Sequence, residues 1–159
     1  SSDVCSSDLA AARRGWTCAS RGRGRIEMSW QVGYPDAFRY LDDEHEDIGR
    51  ALQSLRGALE RPDERSPKLL MSSIIEKLRT HMAHEEEVMK AHAYPELELH
   101  EKHHQLLTET IEMIMQFFDA RSMVDHGESI VNHIENKLSE EIFVDHLFAD
   151  YLRNQAGKA

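Results

Sequence analysis

Between Thr80 and His104 the chain reads THMAHEEEVMKAHAYPELELHEKHH, a stretch that holds six of its ten histidines interleaved with glutamates. Imidazoles and carboxylates at this density form either a solvated charged face or the donors of a metal site, and spacing separates the two. His81 and Glu85 lie four residues apart, as do His100 and His104. On a helix, positions i and i+4 differ by about 40° in azimuth and about 6 Å along the axis, so each pair can converge on one centre. Nitrogen and oxygen donors without sulfur suit iron, manganese or zinc. Six or more ligands exceed the four that a tetrahedral zinc uses, and a dinuclear centre bridged by carboxylate accommodates them better.

Four helices are needed to position these groups, and each can be read from apolar residues recurring at intervals of three and four. The first begins after YPD, with Asp36 as its expected N-cap, and runs Phe38, Leu41, His45, Ile48, Leu52, Leu55 and Leu59 until Pro62. The second, from about Ser66 to Ala91, runs Leu70, Ile74, Leu78, His81, Glu85 and Val88. The third opens at Pro95 and runs Leu97, His100, His104, Leu107, Ile111, Ile114 and Phe118. The fourth, from about Glu128 to Arg153, is less regular, with Val131, Ile134, Leu138, Ile142, His146 and Ala149 or Asp150 on its inner face. The links RPDERSP, AHAYPE and ARSMVDHG read as short turns. The expected fold is all-α, an up-down-up-down four-helix bundle with a metal site in its core.

The pattern sets His45, His81, His100, His104 and His146 inward with Glu85, and His84, His92 and His103 toward solvent. A single inward histidine is ordinarily a hydrogen-bonded core residue. Six buried polar groups without a common partner are another matter, because each unsatisfied group costs roughly 1–3 kcal/mol against a total stability of about 5–15 kcal/mol. A shared metal resolves the conflict. The ferritin-like di-iron plan requires Glu-x-x-His on two helices, whereas one copy is present, Glu101 to His104.

Composition narrows the setting. The 159 residues, 40% of them hydrophobic, suffice for one domain and one core. Residues 1–27, rich in Ser, Arg and Gly and holding both Cys5 and Cys18, lack periodicity and are expected to be a disordered or non-native extension; SSDVCSSDL resembles translated sequencing-adapter sequence, with Met28 a plausible start. Residues 28–159 then form the bundle. They carry 14 basic against 26 acidic side chains, a formal net charge of −12 where the whole chain has −10. Such a surface repels nucleic acid and anionic membranes. No apolar run reaches the roughly 18–20 residues that a membrane span needs. The absence of cysteine from residues 28–159 excludes disulfides and thiolate metal sites there and fits a cytoplasmic location.

Three stretches together resemble a known family, the hemerythrins, and among them the single-domain bacterial form, bacteriohemerythrin. DDEH at 42–45 is similar to the family's D-x-[QE]-H, HMAHEEEVM at 81–89 to its H-F-x-x-E-E-x-x-M, and YPELELHEKHH at 94–104 to its Y-P-x-x-x-x-H-x-x-x-H. The resemblance spans Trp30 to about Tyr151. It implies a four-helix bundle holding two non-heme iron ions that bind O2 reversibly. By the same resemblance His100, His104 and His146 hold one iron, His45 and His81 the other, and Glu85 bridges, with O2 at the second iron.

The fourth helix departs from the family's H-I-x-x-x-D, for Tyr151 stands five residues after His146 and Asp150 only four. Four residues place a side chain about 40° from its reference and five about 140°, so Asp150 is expected as the second bridge. Glu140 with Asp145, five apart, and His133 in HIENK are alternatives that need another register; an inward Tyr151 could hydrogen-bond or ligate. Leu78, Leu107, Ile111 and Ile142 are candidate walls of a ligand pocket or ordinary core. Three functions follow from this reading. The first is oxygen carriage, storage or sensing, in which no substrate is turned over and any redox or signalling partner is separate. The others are a di-iron enzyme acting on peroxide, O2 or nitric oxide, and an iron-handling bundle.

Overall fold

The structure is a computed structural model that describes residues 30–60, 67–117 and 120–157. The expectation for residues 1–27 lies outside the described residues, as does most of the first link. A 3-10 turn at Asp36–Phe38 leads into α1 (Arg39–Glu60), followed by α2 (Pro67–Ala91), α3 (Leu97–Phe117) and α4 (Ala120–Ala156). The described residues contain no strand. Neighbours in sequence pack side by side and α4 closes the ring against α1, which makes the all-α four-helix bundle that the stripes required. No helix among the described residues is long and apolar enough to cross a membrane.

Two ends differ from the sequence reading. Asp36 does not cap α1. It opens the 3-10 turn, in which Phe38 N–H donates to the Pro35 carbonyl at 2.7 Å, and no side chain caps this start. The link ARSMVDHG is helical, so α4 extends over 37 residues. Gly127, which reads as a turn residue, instead lets two helices approach: a Cβ there would lie 2.7 Å from Leu59 Cδ1 on α1. Gly49 serves the same purpose for Trp30, whose indole a Cβ would meet at 2.6 Å.

The core divides into two apolar clusters. One packs Ile48, Leu52, Leu55, Met71, Ile74, Leu78, Leu107, Ile111, Val131, Ile134 and Leu138. The other, at the opposite end, packs Val32, Tyr34, Leu41, Val88, Met89, Tyr94, Phe148 and Leu152. Between them every helix changes to polar residues for about one turn. His45 falls between Leu41 and Ile48, His81 and Glu85 between Leu78 and Val88, His104 before Leu107, and Asp145 between Leu138 and Phe148. The bundle thus consists of two hydrophobic blocks separated by a buried polar layer.

The turn joining α2 to α3 fixes the height of the histidines on α3. Tyr94 N–H donates to the Met89 carbonyl at 3.0 Å and Ala93 N–H to the Lys90 carbonyl at 3.3 Å, the pattern of a left-handed helix C-cap. Ala93 holds φ +50°, a conformation that costs a Cβ-bearing residue roughly 1–2 kcal/mol. Tyr151 on α4 supports the turn by donating from its hydroxyl to the His92 carbonyl at 2.8 Å. Ala93→Gly should therefore raise stability, by about 0.5–1 kcal/mol after the extra freedom of glycine in the unfolded chain is deducted, with a matching rise in the thermal midpoint.

Candidate metal centre

Five of the expected donors meet in the polar layer. His45 on α1, His81 and Glu85 on α2, and His100 and His104 on α3 are each at most 4% exposed. Glu85 lies among them, its Oε2 at 3.1 Å from His100 Nε2, 3.2 Å from His104 Nε2 and 4.0 Å from His81 Nε2. The rings of His45 and His81 pack with centroids 4.1 Å apart, and those of His100 and His104 at 4.4 Å. The imidazoles form two pairs, with a carboxylate between.

The fourth helix turns a different edge inward from the one expected. His146 is half-buried and absent from the cluster, and Asp150 is exposed and paired with Arg153 at 2.7 Å. Tyr151 points at the α2–α3 turn. The residues facing the histidines are Glu141, 7% exposed, and Asp145, fully buried. The reason is helical phase. Leu138, Asp145 and Leu152 repeat at seven, with Phe148 and Ala149 completing the stripe, and this sets the inner face about 100° away from His146. Asp145 enters the site, whereas Glu140 and His133, which another register would have turned inward, are exposed.

Asp145 spans both imidazole pairs. Its Oδ2 lies 3.2 Å from His45 Nε2 and its Oδ1 3.3 Å from His100 Nε2. Donor atoms of His45, His81 and Asp145 lie within 4.8 Å of one another, and so do those of Glu85, His100, His104 and Asp145. Two donor groups thus share one carboxylate, the arrangement that a dinuclear centre needs.

The hydrogen-bond accounting shows why these side chains suit a cation. His81 Nδ1–H donates to Glu44 at 3.1 Å and His104 Nδ1–H to Glu86 at 2.9 Å. A neutral imidazole carries one N–H, so in both rings Nε2 is left as a lone pair facing carboxylate oxygens. Carboxylates behind the ring also orient it and raise its basicity, as outer partners of metal-bound histidine do. His81 Nε2, His104 Nε2, Glu141 Oε1 and both Asp145 oxygens are buried without a hydrogen-bond partner. His45 Nδ1 and His100 Nδ1 are likewise without a partner, while the inward Nε2 atoms of His45 and His100 lie 3.2 and 3.3 Å from Asp145 oxygens and His104 Nε2 lies 3.2 Å from Glu141 Oε1. Their common requirement is positive charge. With protons alone to supply it, burial would lower the imidazoles, yet Asp145 and Glu85 raise His100 to about 9, and Glu141 and Glu85 raise His104 to about 11. Burial likewise opposes ionisation of Glu85, and His100 and His104 overcome it to hold the carboxyl well below its ordinary range.

The segment ahead of α1 completes the surroundings. Asp42, buried on α1, accepts from Val32 N–H at 2.6 Å, Gly33 N–H at 3.2 Å and Tyr34 N–H at 2.9 Å. Gly33 takes φ +80°, which lets three successive amides face one carboxylate. Held in this way, the Tyr34 hydroxyl donates to Glu85 Oε1. Burial first, and then Glu85 and Asp145, push the Tyr34 phenol well above its ordinary range, so it remains a donor.

Periodicity and spacing in the sequence assign no role to Glu141, Tyr34 or Asp42. For Glu141 a signal was present: it precedes Ile142 as the expected histidine precedes isoleucine, and with Asp145 it forms an i, i+4 carboxylate pair. Tyr34 lies in a segment without periodicity, where spacing carries no information. Because losing even an outer partner of a metal ligand weakens binding roughly 10–100-fold, Asp145→Asn should cost at least that. Asp150→Asn and His84→Ala should leave metal content nearly intact. Metal analysis after dialysis against a graded chelator checks the assignment, and equal losses in all three variants would overturn it.

Residues 36–149 match the family described as Hemerythrin HHE cation binding domain. The chain is also similar to a myohemerythrin of Theromyzon tessulatum, with 24% identity over 106 residues, covering 67% of this chain and 83% of that protein. No solved structure shows significant similarity to it. The family match covers most of the bundle and all four helices contribute donors to the polar layer, so the chain belongs to the hemerythrin family, whose domain binds cations.

Proposed function

We propose that this protein binds O2 reversibly at a non-heme di-iron centre, as a carrier, store or sensor. The observation that carries the reading is Asp145, a fully buried carboxylate with one oxygen toward each imidazole pair and no hydrogen bond to either. His45 and His81 would hold one iron, His100 and His104 the other, with Glu85 and Asp145 spanning them. When bound, such a centre supplies the electrons that hold O2. His146 and Asp150, outside the layer, take no part in this ligand set.

The chain's own residues support the reading in three ways. Glu44 and Glu86 orient His81 and His104 with Nε2 turned inward. Leu78, Leu107, Ile111 and Ile142 are all buried on the inner faces beside the donors, and an apolar wall excludes water while admitting a neutral diatomic. Tyr34 keeps a proton on its hydroxyl and directs it at Glu85, which fixes one carboxylate oxygen and leaves the other toward the histidines.

Iron content and optical spectra of anaerobically reduced protein, before and after air and then under argon, test the proposal. About two irons per chain and a visible band that appears with air and disappears under argon are the expected result. Irreversible oxidation with turnover of peroxide would replace the binding function with an enzymatic one, and protein that retains no iron would overturn the reading.

A further inference from the structure

Glu141 is a buried carboxylate that the expected ligand set does not include. It sits one turn before Asp145 on α4, 7% exposed, with Oε1 at 3.2 Å from His104 Nε2 and 3.5 Å from His100 Nε2. Oε1 accepts no hydrogen bond. His104 has already committed its Nδ1–H to Glu86, so its Nε2 and Glu141 Oε1, 3.2 Å apart, need either a proton on Nε2 or a metal ion between them. A metal ion there satisfies both atoms at once, with the imidazole neutral and the carboxylate ionised.

We propose that Glu141 is a third carboxylate ligand of the centre, bound to the ion held by His100 and His104. The inference rests on the dinuclear reading above and goes beyond it, because the chain then offers four imidazoles and three carboxylates where its family resemblance implies five and two. Exchanging a neutral imidazole for an anion stabilises the more highly charged state of the ion and lowers its reduction potential. This end of the site also borders the outside. A cleft of about 210 Å³ between α3 and α4 is lined by Leu106, Leu107, Thr110, Lys137 and Glu141. Glu141 therefore touches the ligand cluster and a surface cleft at once, so in a variant that lacks this side chain a small carboxylate can enter by the cleft and occupy its place.

The experiment compares full-length protein with Glu141→Ala, Glu141→Gln and Glu141→His, reading iron per chain, resistance to a chelator and reduction midpoint. Helical content by circular dichroism controls for folding. In Glu141→Ala the His100/His104 ion should be lost at chelator concentrations roughly tenfold lower or less, with the other ion retained. Added formate should restore it. Glu141→His should hold both ions at a more positive midpoint. Folded Glu141→Ala and Glu141→Gln proteins that match the parent in iron content, chelator resistance and midpoint would overturn the proposal while leaving the dinuclear reading intact. A parent protein without iron would overturn both.

Discussion

The structure depends on one requirement, that the charges of a buried layer be balanced. Four histidines, Glu85, Glu141 and Asp145 occupy the middle of the bundle where any packing pattern would place leucine. Removing one partner from such a layer leaves the others uncompensated, so each position is held by all the rest. The two apolar blocks on either side supply the cohesion that keeps the layer in register. They act as a clamp: the closeness of α1 to α4 at Gly127 and the cap at Ala93 fix helix heights at both ends, and the donors are aligned in between.

Around the layer, a further set of carboxylates acts at one remove. Glu44 and Glu86 face ring nitrogens, and Asp42 gathers three backbone amides so that Tyr34 can reach Glu85. Each converts a flexible side chain into one with a single useful orientation. The segment before α1 is thus part of the site, although it contributes no metal donor. The strong net negative charge of the chain has a use in this light, since a cation approaching the bundle meets a favourable field before it reaches a ligand.

The first three helices were legible because histidine replaced leucine at stripe positions that neighbouring apolar residues had already marked. His45 between Leu41 and Ile48 is polar where the period demands apolar, and the same holds for His81, Glu85, His100 and His104. On α4 the same logic misled. Ile142, His146 and Ala149 also step by four and three, and a histidine attracts a ligand assignment more readily than the acids one turn earlier. The correct phase depended on Phe148, Ala149 and Leu152, which pack around Tyr94 and the segment before α1, contacts between parts of the chain far apart in sequence. Gly127 misled for a related reason: glycine marks a turn or a close approach of helices, and spacing alone does not say which.

The division into two apolar blocks has a consequence for the life of the molecule in the cell. Without a cation, the centre of the bundle, where buried carboxylates and imidazoles have protons alone to balance them, would open more readily than the same layer around a bound ion. Proteases that act on opened chains would then remove empty copies faster than filled ones. The quantity of this protein would then follow the supply of its metal through turnover.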